Sequence, residues 1–270
     1  MLRQRIITAL CGIPVLVVVI WFSEPEWSFP LFTVFVSLWG LLAALEFYKI
    51  TAISRIIPLT VFGIAWTVLL IIRPHFASGF YYPIVLVSLL VLPMLLILIE
   101  RREKEFINTW AWAVAGVFYV GLLLSYLVDL RLEGGRNWVF LAILATFGSD
   151  TSAYFIGKAF GRHRMAPRIS PNKTWEGAAA GLIGAVIISL LFTLSWPLQL
   201  PINYWQAVLL GVFISVFGQL GDLLESLLKR YTGAKESGSL MPGHGGLLDR
   251  MDSIVFAGVV VYIYYIFFAT

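Results

Sequence analysis

The chain is predicted to be an all-α, polytopic integral membrane protein of about nine transmembrane helices. Three observations predict it. Of its 270 residues, 60% are hydrophobic and only 13% are charged, where a soluble domain is nearer 45–50% and about 25%. Mean hydropathy is +0.89. The apolar residues fall in long runs near the roughly 20 residues a spanning helix needs, not in the alternating ten-residue segments of a transmembrane barrel.

In chain order the spans are expected at about 5–22, 28–48, 56–72, 80–99, 108–129, 137–157, 176–196, 203–225 and 253–269. The first, in MLRQRIITALCGIPVLVVVIWF, has the basic start of a signal peptide. SEPEW follows it in place of a small-residue cleavage site, so it reads as a retained span. The third span is short, and the sixth and eighth run into polar motifs. Trp21, Trp27, Tyr81, Tyr82, Trp110 and Trp112 sit where interfacial aromatic belts are expected.

Charge sets the orientation. Sixteen of the 19 Lys and Arg fall at the N-terminus or in the loops after spans 2, 4, 6 and 8; only Arg73, Arg131 and Arg136 fall on the other side. The positive-inside rule then places the N-terminus in the cytoplasm. The two richest polar loops, 158–175 and 229–252, share that side, where nucleotides and Mg²⁺ are available. The division expected is an N-terminal scaffold, 1–136, and a C-terminal catalytic region, 137–270.

Several classes are excluded or disfavoured. The one cysteine, Cys11, permits no internal disulfide. No GxxxxGK[ST], HExxH or GxSxG motif occurs. No basic face interleaved with aromatics points to nucleic acid. No inverted repeat of a transporter is visible.

Three constellations carry chemistry. The first is GSDTSAYFIGKAFGRHRMAPRISPNKTWEG, residues 148–177. Asp150 sits within or at the edge of the sixth span, where a carboxylate should face a cavity or a partner. Ser170 to Thr174 reads as a turn and helix start, with Ser170 or Asn172 as cap. A helix N-terminus beside Arg168 and Lys173 is an anion site. Gly177 and Gly181 form a small-xxx-small pair, a face suited to a homodimer.

The second is GQLGDLLESLLKR, residues 218–230. Asp222, Glu225, Ser226 and Lys229 fall at i, i+3, i+4 and i+7, one polar stripe on an apolar helix. The third is Pro242 to Asp252, PGHGGLLDRMD. Its glycines make a loop whose backbone amides can form a phosphate nest. Asp249 and Asp222 are a carboxylate pair suited to Mg²⁺ together with phosphate oxygens and water. His244 has no Cys or His partner nearby, which disfavours zinc.

Across 226–252 the chain resembles the phosphatidate cytidylyltransferase (CDP-diacylglycerol synthase) family. Ser226, Lys229, Arg230, Lys235, Pro242, His244, Gly245, Gly246, Asp249, Arg250 and Asp252 stand in the register of the family motif, and SDTSAYFIGKAFGRHR and ISPNKTWEG also resemble it. Glu236 stands where the family has Asp, and Met241 replaces the usual Leu, Ile or Phe.

The resemblance implies transfer of a cytidylyl group from CTP to phosphatidate, giving CDP-diacylglycerol and pyrophosphate, with Mg²⁺; a second, monovalent cation is left open. It implies that Asp222 and Asp249 hold the metal. Lys173, Lys229, Arg230 and Arg250 would hold phosphates. Gly243, Gly245 and Gly246 would line the nucleotide site, with Lys235 and Ser170. Asp150, Glu176, His244 and Asp252 would position or support. Phosphatidate would enter from the bilayer lipids, with the active site on the cytoplasmic face of a bacterial inner membrane. Three rivals stand beside this reading: an ion pathway through Asp150, Asp222 and Glu225, a CTP-dependent polyprenol kinase, and a non-catalytic assembly protein.

Overall fold

The computed structural model describes residues 2–24, 30–76, 81–101, 106–194, 197–238 and 245–269. Pro242, Gly243, His244, Met241 and Trp27 lie outside the described residues, as do the side chains of Cys11, Tyr81 and Tyr82.

Of the described residues, 81% are helical. The helices are α1 (Leu2–Phe22), α2 (Leu31–Ile50), α3 (Ile57–Ile72), α4 (Tyr81–Ile99), α5 (Phe106–Gly116), α6 (Leu123–Asp129), α7 (Arg136–Phe160), α8 (Trp175–Leu191), α9 (Tyr204–Thr232) and α10 (Asp252–Phe268). A π-helical segment, Val117–Leu122, joins α5 to α6 and a second, Leu130–Gly134, extends α6, giving one helical stretch, Phe106–Gly134. Among the described residues, five helices are long and apolar enough to cross a membrane: Leu31–Ile50, Ile57–His75, Phe106–Gly134, Arg136–Phe160 and Tyr204–Thr232. Shorter apolar helices run over Gly12–Phe22, Pro83–Ile99, Trp175–Leu191 and Asp252–Phe268. Large apolar side chains lie open on these helices, Ile57 and Ile99 each 73% exposed. Such faces suit a hydrocarbon solvent and not water.

Local sequence explains the helix ends. Pro58 occupies the first turn of α3, where its missing N–H costs nothing. Asn203 and Gln206 form a reciprocal capping box at the start of α9, with bonds of 2.9 and 2.8 Å. Gly233 ends α9 in the left-handed region at φ +73°.

One expectation is corrected. Ser170–Thr174 is not a helix start but a strand, β2, paired antiparallel with β1 (Arg164–Ala166). The cap of α8 is therefore Thr174, whose hydroxyl accepts from Gly177 N at 3.2 Å, and not Ser170 or Asn172. The hairpin is a small exception to an otherwise all-α fold.

Two packing units form. The first is Met1–Val128 with Ala234–Asp249; the second is Asp129–Gly233 with Arg250–Thr270. The first unit buries Phe62, Leu70, Leu89, Val114 and Val117 together. Tyr48 of α2 is fully buried and donates to the Ala113 carbonyl at 2.9 Å. In the second unit α7, α8, α9 and α10 pack side by side. Gly177 and Gly181, read as a dimer face, are spent on this intrachain contact. A Cβ on Gly177 would lie 2.9 Å from the Ala153 carbonyl, and one on Gly181 3.0 Å from Ser149 Oγ.

Candidate functional site

The second unit gathers most of the expected polar residues. Asp222 lies on α9, and its Oδ2 is 2.6 Å from Nζ of Lys173 on β2. Ser226, one turn on, donates to Asp222 Oδ1 at 3.4 Å. Lys229 Nζ sits 3.0 Å from Glu225 Oε1, and Glu225 is fully buried. The stripe expected on α9 thus exists, and its two carboxylates each take a lysine. Arg230 Nε donates to the Ile169 carbonyl at 3.1 Å, which ties α9 to the hairpin.

Two further carboxylates join Asp222. Asp150 of α7 feels the charges of Asp222, Lys173 and Arg250. Asp252, first residue of α10, feels Asp222, Asp150 and Lys229. Its Oδ1 accepts from Ser253 N at 2.8 Å. Gly221 makes the approach of α10 possible: a Cβ there would strike the Asp252 carbonyl and the Phe256 ring. Acidic and basic groups therefore cluster with Asp222, a combination that can bind phosphates and a hard cation together.

Glu176, expected to position or support, accepts from the Arg162 and His163 amides, at 3.1 and 3.2 Å, and its Oε1 lies 2.6 Å from His163 Nδ1. It clamps the start of the hairpin. Ser170 is half-buried within β2.

A polar chain missed in the sequence underlies the site. Ser149 Oγ is 2.9 Å from Ser215 Oγ, and Gln219 Nε2 donates to Ser215 Oγ at 2.8 Å and to the Ala178 carbonyl at 3.2 Å. It knits α7, α8 and α9 just before Asp222. The signal was present: Ser215, Gln219 and Asp222 lie at i, i+4 and i+7 of an apolar helix.

The first unit holds the other part of the motif. Asp249 lies in a 3₁₀ turn, Leu248–Arg250. Its Oδ2 accepts from Ser237 N at 3.1 Å and Gly246 N at 2.9 Å. The Gly246 amide, expected in a phosphate nest, is thus taken by Asp249. Gly245 has φ +85°, a conformation that requires glycine. Lys235 and Glu236 are exposed. Gly243 and His244 lie outside the described residues.

Carboxylate oxygens are the donors Mg²⁺ prefers, so the chemistry of the donor set fits that ion. Among the described residues no group of three His, Cys, Asp or Glu side chains is arranged to hold a metal by itself.

The fold and site define an all-α protein of membrane type with a clustered carboxylate and lysine centre. Residues 3–268 match the model of the cytidylyltransferase family. The chain belongs to that family and is a nucleotidyltransferase. It is similar to a phosphatidate cytidylyltransferase of Bacillus subtilis, 43% identical over 150 residues, or 55% of this chain and 54% of that protein. It is 35% identical over 221 residues to the phosphatidate cytidylyltransferase of Staphylococcus saprophyticus, covering 80% of this chain and 84% of the other. The Staphylococcus aureus protein of the same name is 37% identical over 193 residues, 70% and 72%.

Proposed function

We propose that this protein transfers a cytidylyl group from CTP to phosphatidate with Mg²⁺, releasing pyrophosphate and leaving CDP-diacylglycerol in the membrane. The observation that carries the reading is the Lys173–Asp222 pair with Asp150 and Asp252 beside it, in a chain of this family. The names of the bacterial relatives supply the lipid substrate.

A phosphate oxygen of phosphatidate attacks the α-phosphorus of CTP. That P–O bond forms as the bond to the β-phosphate's bridging oxygen breaks, and the electron pair leaves with pyrophosphate. The nucleophile is already an anion, so no general base is needed. Bringing two anions together is the main barrier, and fixed cations lower it. Lys173, Lys229, Arg230 and Arg250 supply that charge. Mg²⁺, when bound, neutralises the leaving phosphates. Asp222 holds it on this reading, and Asp249 is carried over to the same role from the family motif alone. Asp150 and Asp252 orient the lysines and complete the acidic face.

Nine spans, a cytoplasmic N-terminus and a site at the cytoplasmic face of a bacterial inner membrane complete the proposal. Sixteen of the 19 Lys and Arg fall on that side under this topology.

The test is direct. Detergent-purified protein is incubated with phosphatidate and CTP labelled at the α-phosphate, with and without Mg²⁺. Label entering the lipid fraction only with Mg²⁺ supports the reading. Label entering only from γ-labelled CTP would replace it with a lipid kinase. No lipid label from either, in folded protein, would return the ion-pathway reading to the front.

A further inference from the structure

Glu46 carries no motif and lies in α2, in the half of the chain read as scaffold. It is nevertheless a buried carboxylate, 4% exposed, and such a group in an apolar helix is costly unless it has a task. Its Oε2 accepts from Leu248 N at 2.9 Å and from Ser237 Oγ at 3.2 Å. Those are the residues around Asp249. Asp249 in turn accepts from Ser237 N and Gly246 N. Ser237 on one side and Gly246 and Leu248 on the other are therefore held by two carboxylates, Glu46 and Asp249.

Three more observations point the same way. Trp39, seven residues before Glu46 and so on the same face of α2, donates from Nε1 to the Leu247 carbonyl at 3.3 Å. A Cβ on Gly238 would strike the Glu46 carboxylate, and one on Gly246 would lie 2.5 Å from Glu46 Oε2. Only glycine at both positions lets the backbone come this close to Glu46. Finally, both carboxylates accept from Ser237, Glu46 from its hydroxyl and Asp249 from its amide, so one residue ties the two acids together.

We infer that Glu46 is a positioning residue. It fixes the turn that carries Asp249, and so sets where the Asp249 carboxylate points during cytidylyl transfer. This rests on the reading of Asp249 given above. Misplacing a reacting or ligating group by about 1 Å can cost about 10²-fold in rate, which is the scale of loss expected.

The test compares Glu46→Ala, Glu46→Gln and Ser237→Ala in the full-length protein. Two readouts are used: label transfer from α-labelled CTP, resolved into kcat and KM, and amide hydrogen exchange at Leu248. Glu46→Ala should speed exchange at Leu248 and lower kcat about 10²-fold, with KM for phosphatidate little changed. Glu46→Gln keeps an oxygen for both donors, so it should restore slow exchange and most of kcat. Ser237→Ala should act in the same direction, less strongly.

Unchanged Leu248 exchange in Glu46→Ala would overturn the tether. Faster exchange with unchanged kcat would overturn the positioning role. A Gln variant as slow as the Ala variant would overturn it too, because charge rather than hydrogen bonding would then be what Glu46 supplies. If Glu46→Ala does not fold, Ser237→Ala and Glu46→Gln decide. If wild-type protein transfers no label, the functional reading fails by itself, and with it the catalytic part of this inference, while the exchange arm still decides whether Glu46 holds the turn.

Discussion

Lys173 and Asp222 meet within one packing unit, Nζ to Oδ2 2.6 Å, although 49 residues separate them in the chain. The hairpin delivers the lysine and α9 delivers the carboxylate. Neither element alone makes a site. Removing one partner leaves the other charge uncompensated in a partly buried place, so both single changes should be severe.

Lys173→Met and Asp222→Asn are each expected to lower kcat/KM for cytidylyl transfer by about 10²–10³-fold, the scale of losing one preorganised electrostatic group. The double variant should be little worse than the worse single, because the two act as a unit. Steady-state kinetics on the three variants check this. Multiplicative losses would mean that the pair has no joint role.

Gly221 and Gly218 lie three apart on the same helix yet should behave differently. A Cβ on Gly221 would strike the Asp252 carbonyl and Phe256, whereas one on Gly218 would meet its nearest atoms, Cβ and O of Ser253, at 3.6 Å. Gly221→Ala must push α10 away from α9. Overpacking of this kind costs about 1–3 kcal/mol, and here it also moves Asp252 from Asp222. Thermal unfolding in detergent should show a lower midpoint and transfer assays a lower rate, while Gly218→Ala stays near wild type in both.

What was legible follows from the physics of each feature. Long apolar runs declare helices, because a bilayer demands internal hydrogen bonding. The stripe of Asp222, Glu225, Ser226 and Lys229 was legible because helical periodicity puts them on one face. The hairpin at 164–174 was not. Its strands are short, polar and without alternation, and Pro171 with Ser170 mimics a helix start. Thr174 became the cap through a pairing partner ten residues upstream, Arg164, that no local pattern announces. Glu46 was invisible for a related reason. Its partners, Ser237 and Leu248, lie 191 and 202 residues away. A single acid in an apolar helix was the available clue, and it names no partner. The expected division at 136/137 follows the sequence, whereas the packing units interleave, with Ala234–Asp249 in the first.

Asp249→Asn separates charge from geometry. One oxygen of Asp249, Oδ2, accepts both the Ser237 and Gly246 amides. The asparagine carbonyl oxygen can take that place, so the turn should hold and the protein should stay monodisperse and well expressed. The charge is gone, so transfer should be abolished. Size-exclusion chromatography together with the label assay reads both. An active Asn variant would remove Asp249 from the metal role.

The metal requirement should show a particular order. Mg²⁺ is usually held by one or two carboxylates plus substrate phosphates, not by a cage made of protein alone. That fits a chain in which, among the described residues, no three candidate ligands are arranged around a common point. Mg²⁺ alone should then raise the thermal midpoint very little. CTP with Mg²⁺ should raise it clearly, since a ligand at 100 times its Kd stabilises the folded state by about 2.7 kcal/mol. Chelation should abolish label transfer and added Mg²⁺ restore it. In Asp222→Asn the Mg²⁺ concentration needed for half-maximal activity should rise, whereas in Glu176→Gln, where the side chain clamps the hairpin through His163, it should not move. A midpoint raised fully by Mg²⁺ without nucleotide would show that the protein assembles its own metal cage and that Asp222 does not share the ion with the substrate.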